Sequence, residues 1–185
     1  MSQHNCQTTI LHEAEKLLAV QPVAHNHFIE IKEHPEKWQS FQGNLDEALQ
    51  RLLSDEPYSL RHRQPPPLWT VAGNKAFQEW CAQNPDHPHA NDDQSRARRR
   101  AANDILLWAW CMPRAFTPER LQVLYRCLTD CDASVRFDLI RAVGFLAPKS
   151  AREALSDFLT LEKESPNCKA MAELLLRRLN PRADG

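Results

Sequence analysis

Two pairs of helical patterns follow one another in the C-terminal half of the chain, between Thr117 and Leu179. In each pair, apolar residues recur every three or four positions, the spacing that places them on one face of an α-helix. Equivalent turns inside the two pairs, at Asp132 and Asn167, lie 35 residues apart. A period of this size with two helices per unit is typical of an α-solenoid, in which stacked pairs bury a common core. This repetition predicts an all-α chain.

The ends of these four helices carry residues suited to those positions. Thr117 is the expected N-cap of the first helix, with Pro118 at its first helical position. Asp132 or Ser134 can cap the second helix, and Ser150 can cap the third. The apolar faces of the four helices are formed in turn by Leu121, Leu124, Tyr125 and Leu128; by Val135, Leu139, Ile140, Val143 and Leu146; by Ala154, Leu155, Phe158, Leu159 and Leu161; and by Met171, Leu174, Leu175 and Leu179.

The string DCDASVRFDLIRAVGFL, residues 130–146, resembles the turn and second helix of a HEAT-like repeat. Asp130 and Arg136 stand where repeats of this family carry an Asp and an Arg that link neighbouring units. Gly144 lies in a matching A-x-G-x-L ending. Glycine inside a helix costs about 1 kcal/mol relative to alanine. The resemblance implies a short α-solenoid in which this glycine lets a neighbouring helix approach closely.

The resemblance is weaker in the next unit, residues 150–179. Asn167 and Cys168 stand near the positions where an Asp and a Val-Arg pair would be, and no glycine closes the helix. Terminal units of repeat arrays are often atypical because their outer face meets water. We therefore expect one good repeat followed by one partial repeat.

A further helix is predicted upstream, in QSRARRRAANDILLWAWCMPR. Its apolar run from Ile105 to Met112 is too short to span a bilayer and too apolar all round for a surface helix. We expect it to be the most buried helix of the fold, ended by Pro113. The arginines that precede this run lie near the helix start, where positive charge opposes the helix dipole and needs an acidic partner.

The N-terminal half is less regular. Helical spacing is found from Ile10 to Leu18, from Leu45 to Leu53 and in NKAFQEWCAQ, whereas RHRQPPPLWTVAG and QNPDHPHANDDQS are typical of loops. The stretch HFIEIKEHPEKWQSF is ambiguous between a short extended piece and a helical turn. We divide the chain into residues 1–92, an acidic, His-bearing helical region with Pro-rich loops, and residues 93–185, the HEAT-like repeat region. A single continuous domain is the alternative.

The charge distribution follows the same division. Residues 1–95 carry seven Lys and Arg against thirteen Asp and Glu, and residues 96–185 carry sixteen against eleven, for a net charge of -1. All eight histidines lie in the first half. An acidic front and an Arg-rich back indicate two different surfaces or a charged partner.

The cysteine pattern and the N-terminus predict a soluble protein of the cytoplasm. No basic segment precedes an apolar block at the N-terminus, and no window approaches the length of a membrane span. The six cysteines include no CxxC pair and are expected to be free thiols. We therefore expect no membrane partner.

Neither a metal site nor a catalytic site is predicted. His25 with His27, and His87 with His89, could each point two imidazoles to one side of an extended segment, but no third ligand is fixed by spacing. We expect these histidines to be solvated and assign no metal. The chain has no G-x-S-x-G motif, no P-loop and no glycine-rich nucleotide fingerprint, so no catalytic residue and no cofactor are assigned.

The favoured function is that of a non-catalytic protein–protein interaction module, acting as an adaptor or as an inhibitor. Second helices of stacked pairs form a surface that binds another protein. We expect a partner with an acidic patch and an oligomeric state that the sequence leaves open. The predicted partner-binding residues, from the good repeat and the last helix, are Arg136, Asp138, Arg141, Arg177 and Arg178.

The alternative is a nucleic-acid-binding repeat protein. A group of DNA glycosylases that remove alkylated bases resembles this chain in its basic helical surface and tryptophans, although no segment matches their catalytic Trp and Asp. Arginine suits phosphate because its planar fork binds two oxygens. The residues expected to bind nucleic acid are Arg96, Arg98, Arg99, Arg100 and Arg114.

Overall fold

The computed structural model describes residues 42–54, 59–61, 74–87, 90, 92–163 and 165–179. Over these ranges the chain is all-α, as predicted. The helices are α1 Gln42–Leu53, α2 Asn74–Gln83, α3 Asp92–Cys111, α4 Pro118–Cys127, α5 Ala133–Leu146, α6 Ala151–Leu161 and α7 Pro166–Leu179, with a 3-10 turn Pro113–Ala115 between α3 and α4. The helix predicted at residues 10–18 and the ambiguous stretch 27–41 lie outside the described residues.

Two of the three predicted caps are found. The Thr117 side chain accepts a hydrogen bond from the Arg120 N–H at the start of α4. At the start of α5 the cap is Asp132, whose carboxylate accepts the Ser134 N–H at 2.8 Å. Ser150 precedes α6 but has helical backbone angles, so its hydroxyl does not cap the helix and instead pairs with the Tyr125 hydroxyl at 2.8 Å.

The end of α5 has a left-handed residue. Ala147 has φ 43° and ψ 43°, and its N–H donates to the Val143 carbonyl at 2.8 Å. Proline disfavours the helical conformation in the residue before it. Pro148 therefore ends the helix at Leu146, as the sequence indicates. Ala147 at this end is a non-glycine residue in a conformation that favours glycine.

Six of these helices, all except α2, form two layers. In one layer α1 contacts α4 and α4 contacts α6; in the other α3 contacts α5 and α5 contacts α7. The layers are joined by contacts of α1 with α3, α4 with α5, and α6 with α7. We call α1, α4 and α6 the first helices and α3, α5 and α7 the second helices. Each second helix is thus covered by a first helix on one side and flanked by another second helix.

One apolar core runs through both layers. It extends from Leu45 and Leu49 of α1 to Leu175 of α7. In α3 the run Ile105–Ala109 is almost completely inaccessible, including Trp108 at 1% exposure. The predicted deep burial of the apolar run is confirmed for Ile105–Ala109, whereas Trp110, Cys111 and Met112 are half-buried. In the described ranges, we find no helix with the length and apolar character needed to cross a membrane.

Candidate interaction surface

Buried charged side chains connect the N-terminal ends of the second helices. Arg98 of α3 forms an ion pair with Asp130 and donates a hydrogen bond to Cys131 Sγ at 3.1 Å. Arg136 of α5 donates to Glu162 Oε2 at 2.6 Å and to the carbonyl oxygens of Asp130 and Cys131 at 2.8 and 3.0 Å. A buried guanidinium needs a counter-ion because burial removes the hydration that stabilises its charge. Arg98, Asp130, Arg136 and Glu162 form what we call the ion-pair ladder.

The acidic members of the ladder also order the turns in which they lie. Asp130 Oδ1 accepts the Asp132 N–H at 2.8 Å, and Glu162 Oε1 accepts the Ser165 N–H at 2.9 Å. Both turns lead directly into second helices. The ladder therefore holds α3, α5 and α7 in position relative to one another.

Arg98 remains charged in this setting. Burial alone would lower its pKa, but the negative charge of Asp130 and the hydrogen bonds around the guanidinium raise the pKa above its usual value. Burial raises the pKa of the adjacent Cys131 thiol to about 12. Cys131 is a neutral thiol and not a nucleophile.

The ladder corrects two of the predicted binding residues. Arg136 was expected to contact a protein partner and Arg98 to contact phosphate, yet they are only 2% and 1% exposed. Their guanidinium groups are turned inward because the carboxylates that neutralise them lie in buried turns. Neither side chain reaches the surface. Both stabilise the packing of neighbouring helices through their buried ion pairs.

Two further contacts, each between the starts of neighbouring second helices, indicate that these helices run parallel. Arg99 near the start of α3 donates to Asp132 Oδ2 at the start of α5, at 2.8 Å. Cys168 near the start of α7 donates through Sγ to the Ala133 carbonyl, at 3.3 Å. Eight residues further along each helix, Arg141 of α5 is level with Leu176 of α7, because parallel helices rise by the same step per residue.

The middle second helix exposes one strip of side chains. Phe137, Asp138, Arg141 and Phe145 are half-buried, while the residues on the opposite side of α5 are buried. Their spacing of three or four residues places them on one face. The Asp138 carboxylate lies 3.9 Å from Arg141 Nη1 in this strip, which we call the α5 strip.

The ion pair in the α5 strip is partly desolvated. Burial raises the pKa of Asp138 to about 6, with a smaller contribution from the nearby Asp132 charge. Burial also lowers the pKa of Arg141. Both directions follow from the cost of removing charge from water. They agree with side-chain exposures of 27% for Asp138 and 11% for Arg141.

The α5 strip belongs to a larger surface formed by the sides of α3, α5 and α7 that are turned away from the core. Predicted binding residues Asp138, Arg141 and Arg177 lie on it, and Arg178 is exposed next to Arg177. We call this surface the second-helix face; its exposed or half-buried side chains include Asp93, Arg96, Arg99, Arg100 and Trp110 from α3, Phe137, Asp138, Arg141 and Phe145 from α5, and Lys169, Glu173, Leu176 and Arg177 from α7.

No protein-family model, curated protein or solved structure matches the chain. The function therefore has to be inferred from the side chains that the fold brings together.

The two layers differ in charge. Among side chains described as exposed or half-buried, the second helices carry seven Lys and Arg against four Asp and Glu. The first helices carry four against five. The positive charge of the C-terminal half is thus concentrated on the second helices. The layer of second helices has a net positive charge, and the layer of first helices has a slightly negative one.

A cleft of about 550 Å³ lies at the other end of α3, beside the 3-10 turn and the start of α4. Arg114 lines it together with Asp46, Glu119 and Arg120. Arg120 is occupied by two hydrogen bonds to Asp46, at 2.7 and 2.6 Å, and one to the Ala115 carbonyl, at 2.8 Å. Two acids and two arginines give this cleft no net charge.

The five residues predicted to bind nucleic acid are not brought together. Arg96, Arg99 and Arg100 are exposed at the start of α3, whereas Arg114 follows its end. At about 1.5 Å per residue, the intervening helix separates them by roughly 15–25 Å. With Arg98 buried, three arginines remain as one exposed group.

The histidine and cysteine side chains of the described ranges are buried or half-buried. Cys81, Cys111, Cys127, Cys131 and Cys168 are free thiols, as predicted. His87 is 2% exposed and packs edge-on against Trp80, with ring centroids 4.6 Å apart, which corrects the expectation of a solvated side chain. His25, His27 and His89 lie outside the described residues, within which no three acidic, His or Cys side chains are grouped as metal ligands.

Proposed function

We propose that this protein is a non-catalytic protein–protein interaction module, an adaptor or an inhibitor, that binds its partner through the second-helix face. The α5 strip carries this proposal. Interface centres are enriched in aromatic residues and arginine and depleted in fully hydrated charges. Phe137, Phe145 and the partly desolvated Arg141 have this composition at the middle of the face.

We also propose that the helix pairs are HEAT-like repeats. The support is the ion-pair ladder, in which Asp130 and Arg136 are six residues apart and each contacts a different neighbouring unit. Glu162 and Cys168 repeat the six-residue spacing in the last pair, with cysteine in place of the arginine. Parallel second helices agree with such stacking.

The free thiols support a location in the cytoplasm. Thiols are kept reduced there, whereas secreted proteins form disulfides. None of the five cysteines in the described ranges has formed one. We therefore place the proposed adaptor or inhibitor in the cytoplasm, where its fold would not depend on disulfide bonds.

Site-specific photo-crosslinking tests the proposed face. A benzophenone amino acid replaces Phe137 or Phe145 in the α5 strip, and a control carries it at Gln122, which is exposed on first helix α4. The variants are expressed in the cells from which the chain comes, irradiated, and treated with nuclease before mass spectrometry. We expect the same protein to be cross-linked from both positions in α5 and not from Gln122.

Two results would contradict this function. Equal cross-linking from Gln122 would show that contact with the α5 strip is not selective. Loss of every cross-linked protein after nuclease treatment would show that nucleic acid, and not a protein, brings the molecules together.

Nucleic-acid binding is the second candidate, and the exposed group Arg96, Arg99 and Arg100 is the observation that favours it. Two of these side chains already have acidic partners, since Arg96 pairs with Asp93 at 2.9 Å and Arg99 with Asp132. Binding to duplex DNA measured over a range of salt concentrations tests this candidate, because each phosphate contact steepens the salt dependence. We expect only weak binding with a shallow slope; tight, sequence-dependent binding would favour this candidate.

A further inference from the structure

We propose that the second-helix face binds an acidic segment of the partner protein, with its carboxylates at the N-terminal ends of α3 and α7 and its apolar side chains further along the face. This inference rests on the proposed function and adds the chemistry of the partner.

Four of the six basic side chains of the face lie at one end, and Arg141 and Arg177 lie further along it. Arg96, Arg99 and Arg100 lie in the first half of α3, and Lys169 lies in the first turn of α7. The contacts between Arg99 and Asp132 and between Cys168 and Ala133 bring these helix starts together. Parallel helix N-termini add partial positive charge at the same end. An approaching carboxylate therefore meets positive potential from several sources.

The acidic residues at this end cancel part of that potential and leave the rest. Asp93 is exposed and pairs with Arg96 at 2.9 Å. Asp132 is almost buried, with one carboxylate oxygen accepting the Ser134 N–H and the other accepting from Arg99. Asp138 is partly desolvated and holds its negative charge less readily than an ordinary carboxylate. Arg100 is exposed and has no ion pair to a described residue. Its guanidinium is available for the bidentate geometry that carboxylates favour.

The opposite half of the face is more apolar. Trp110 of α3, Phe145 of α5 and Leu176 of α7 are all half-buried in the later turns of their helices. Because the three helices run parallel, these side chains lie at the same end of the face. A segment with acidic residues at one end and apolar residues at the other matches both halves.

An acidic protein segment fits this face better than nucleic acid does. The excess of basic side chains over acidic ones is three on the described second helices, which is small for a polyphosphate backbone. Trp108 is buried at 1% exposure and cannot stack on a base. A few carboxylates beside an apolar anchor need only the charge that the face carries.

Charge reversal with a matched control tests the proposal. The test variant is Arg96→Glu/Arg100→Glu, and the control is Lys75→Glu/Arg51→Glu on α2 and α1. The two variants are equivalent in net charge, and each changes one residue in a local ion pair, Arg96 with Asp93 or Lys75 with Glu79, and one exposed arginine. Circular dichroism and thermal melting check folding; Arg96→Gln/Arg100→Gln replaces the test variant if the reversal does not fold.

Three fluorescein-labelled probes of equal length are titrated at low salt: a peptide with a Glu-rich end and a Leu/Phe-rich end, the same peptide with Lys for Glu, and duplex DNA. We expect saturable binding of the acidic peptide only. The test variant should weaken it by about tenfold, at roughly three- to fivefold per exposed ion pair, and the control by less than twofold. Added salt should reduce the difference.

Failure of this inference can be distinguished from failure of the proposed function. No saturable binding of the acidic peptide, equal weakening by both variants, or tighter binding of DNA than of peptide would overturn the acidic-segment proposal. The cross-link from Phe137 is then repeated in Arg96→Glu/Arg100→Glu. If the same partner is still captured at the same yield, the face binds protein but its partner is not held by carboxylates.

Discussion

Replacing Arg136 by methionine is expected to destabilise the protein far more than a typical substitution. Methionine keeps the length and apolar stem of the side chain but leaves the Glu162 side chain almost completely buried and without its counter-ion. It also removes the hydrogen bonds from the guanidinium to the Asp130 and Cys131 carbonyl oxygens. The loss should exceed what removal of a single neutral hydrogen bond produces.

The expected magnitude is about 3–5 kcal/mol of the free energy of unfolding, the range found when one partner of a buried pair is removed. For a chain of this size, each kcal/mol corresponds to about 2–4 °C in Tm, so the melting temperature should fall by about 6–20 °C. Urea unfolding followed by circular dichroism measures the loss directly. The double variant Arg136→Met/Glu162→Gln should recover part of the loss, because the uncompensated carboxylate is gone.

Arg99→Met is the matched control. Arg99 also pairs with a carboxylate at 2.8 Å, but its side chain is 54% exposed. Asp132 is buried, but solvent reaches the Arg99 guanidinium and Asp132 keeps its hydrogen bond from the Ser134 N–H. This variant should therefore lose less than Arg136→Met, about 1–2 kcal/mol. If Arg136→Met were no more destabilising than Arg99→Met, the ion-pair ladder would not hold the helices together as described.

Three further predictions concern α5 and its end. Burial raises the pKa of Asp138 to about 6 from an ordinary value near 4. The folded protein therefore binds this proton more tightly than the unfolded chain does, so the free energy of unfolding falls as pH rises between about 4 and 6. Asp138→Asn should remove that loss and stabilise the protein at pH 7 by on the order of 1–3 kcal/mol, measured by urea unfolding at both ends of the window; an unchanged pH dependence would refute the argument. Ala147→Gly should stabilise the protein by about 0.5–1 kcal/mol in the same assay, because glycine adopts the left-handed conformation without strain; a loss would mean that this conformation is not strained. Gly144→Leu should lower the free energy of unfolding by about 1–3 kcal/mol if a neighbouring helix packs closely, whereas Ser134→Leu, exposed on the same helix, should change it little; equal effects would exclude close packing.

Local patterns were sufficient to predict the helices from α3 to α7. Apolar spacing, the cap at Thr117 and the stop at Pro148 all act within a few residues, and the structure agrees with each of them. The expected cap at Ser150 fails for a reason that the sequence does not contain, since Tyr125 lies 25 positions away and takes the hydroxyl as a hydrogen-bond partner.

The ion-pair ladder was only half visible in the sequence. Asp130 and Arg136 were singled out by the HEAT-like resemblance, but their partners Arg98 and Glu162 come from other helix pairs, 32 and 26 positions away. A run of arginines at the start of a helix predicts that an acidic partner is needed and does not say which arginine turns inward. Periodicity identifies the buried side of a helix, and Arg98 lies on that side of α3 together with Ala102 and Ile105.

The α5 strip shows the same limit. Asp138 and Arg141 were predicted as binding residues from their polarity, whereas Phe137 and Phe145 were not, because an aromatic residue in a helix is more often part of the core. Only packing shows that the core side of α5 is already filled by Leu139, Ile140 and Val143, which leaves both phenylalanines at the surface of the strip.

The most direct test of the proposed binding surface is amide hydrogen exchange of the chain, alone and in complex with the protein captured from Phe137. We predict slower exchange in the first half of α3 and along α5, with exchange in first helices α4 and α6 unchanged. Protection confined to α4 and α6, with α5 exchanging as in the free protein, would contradict binding through the second-helix face.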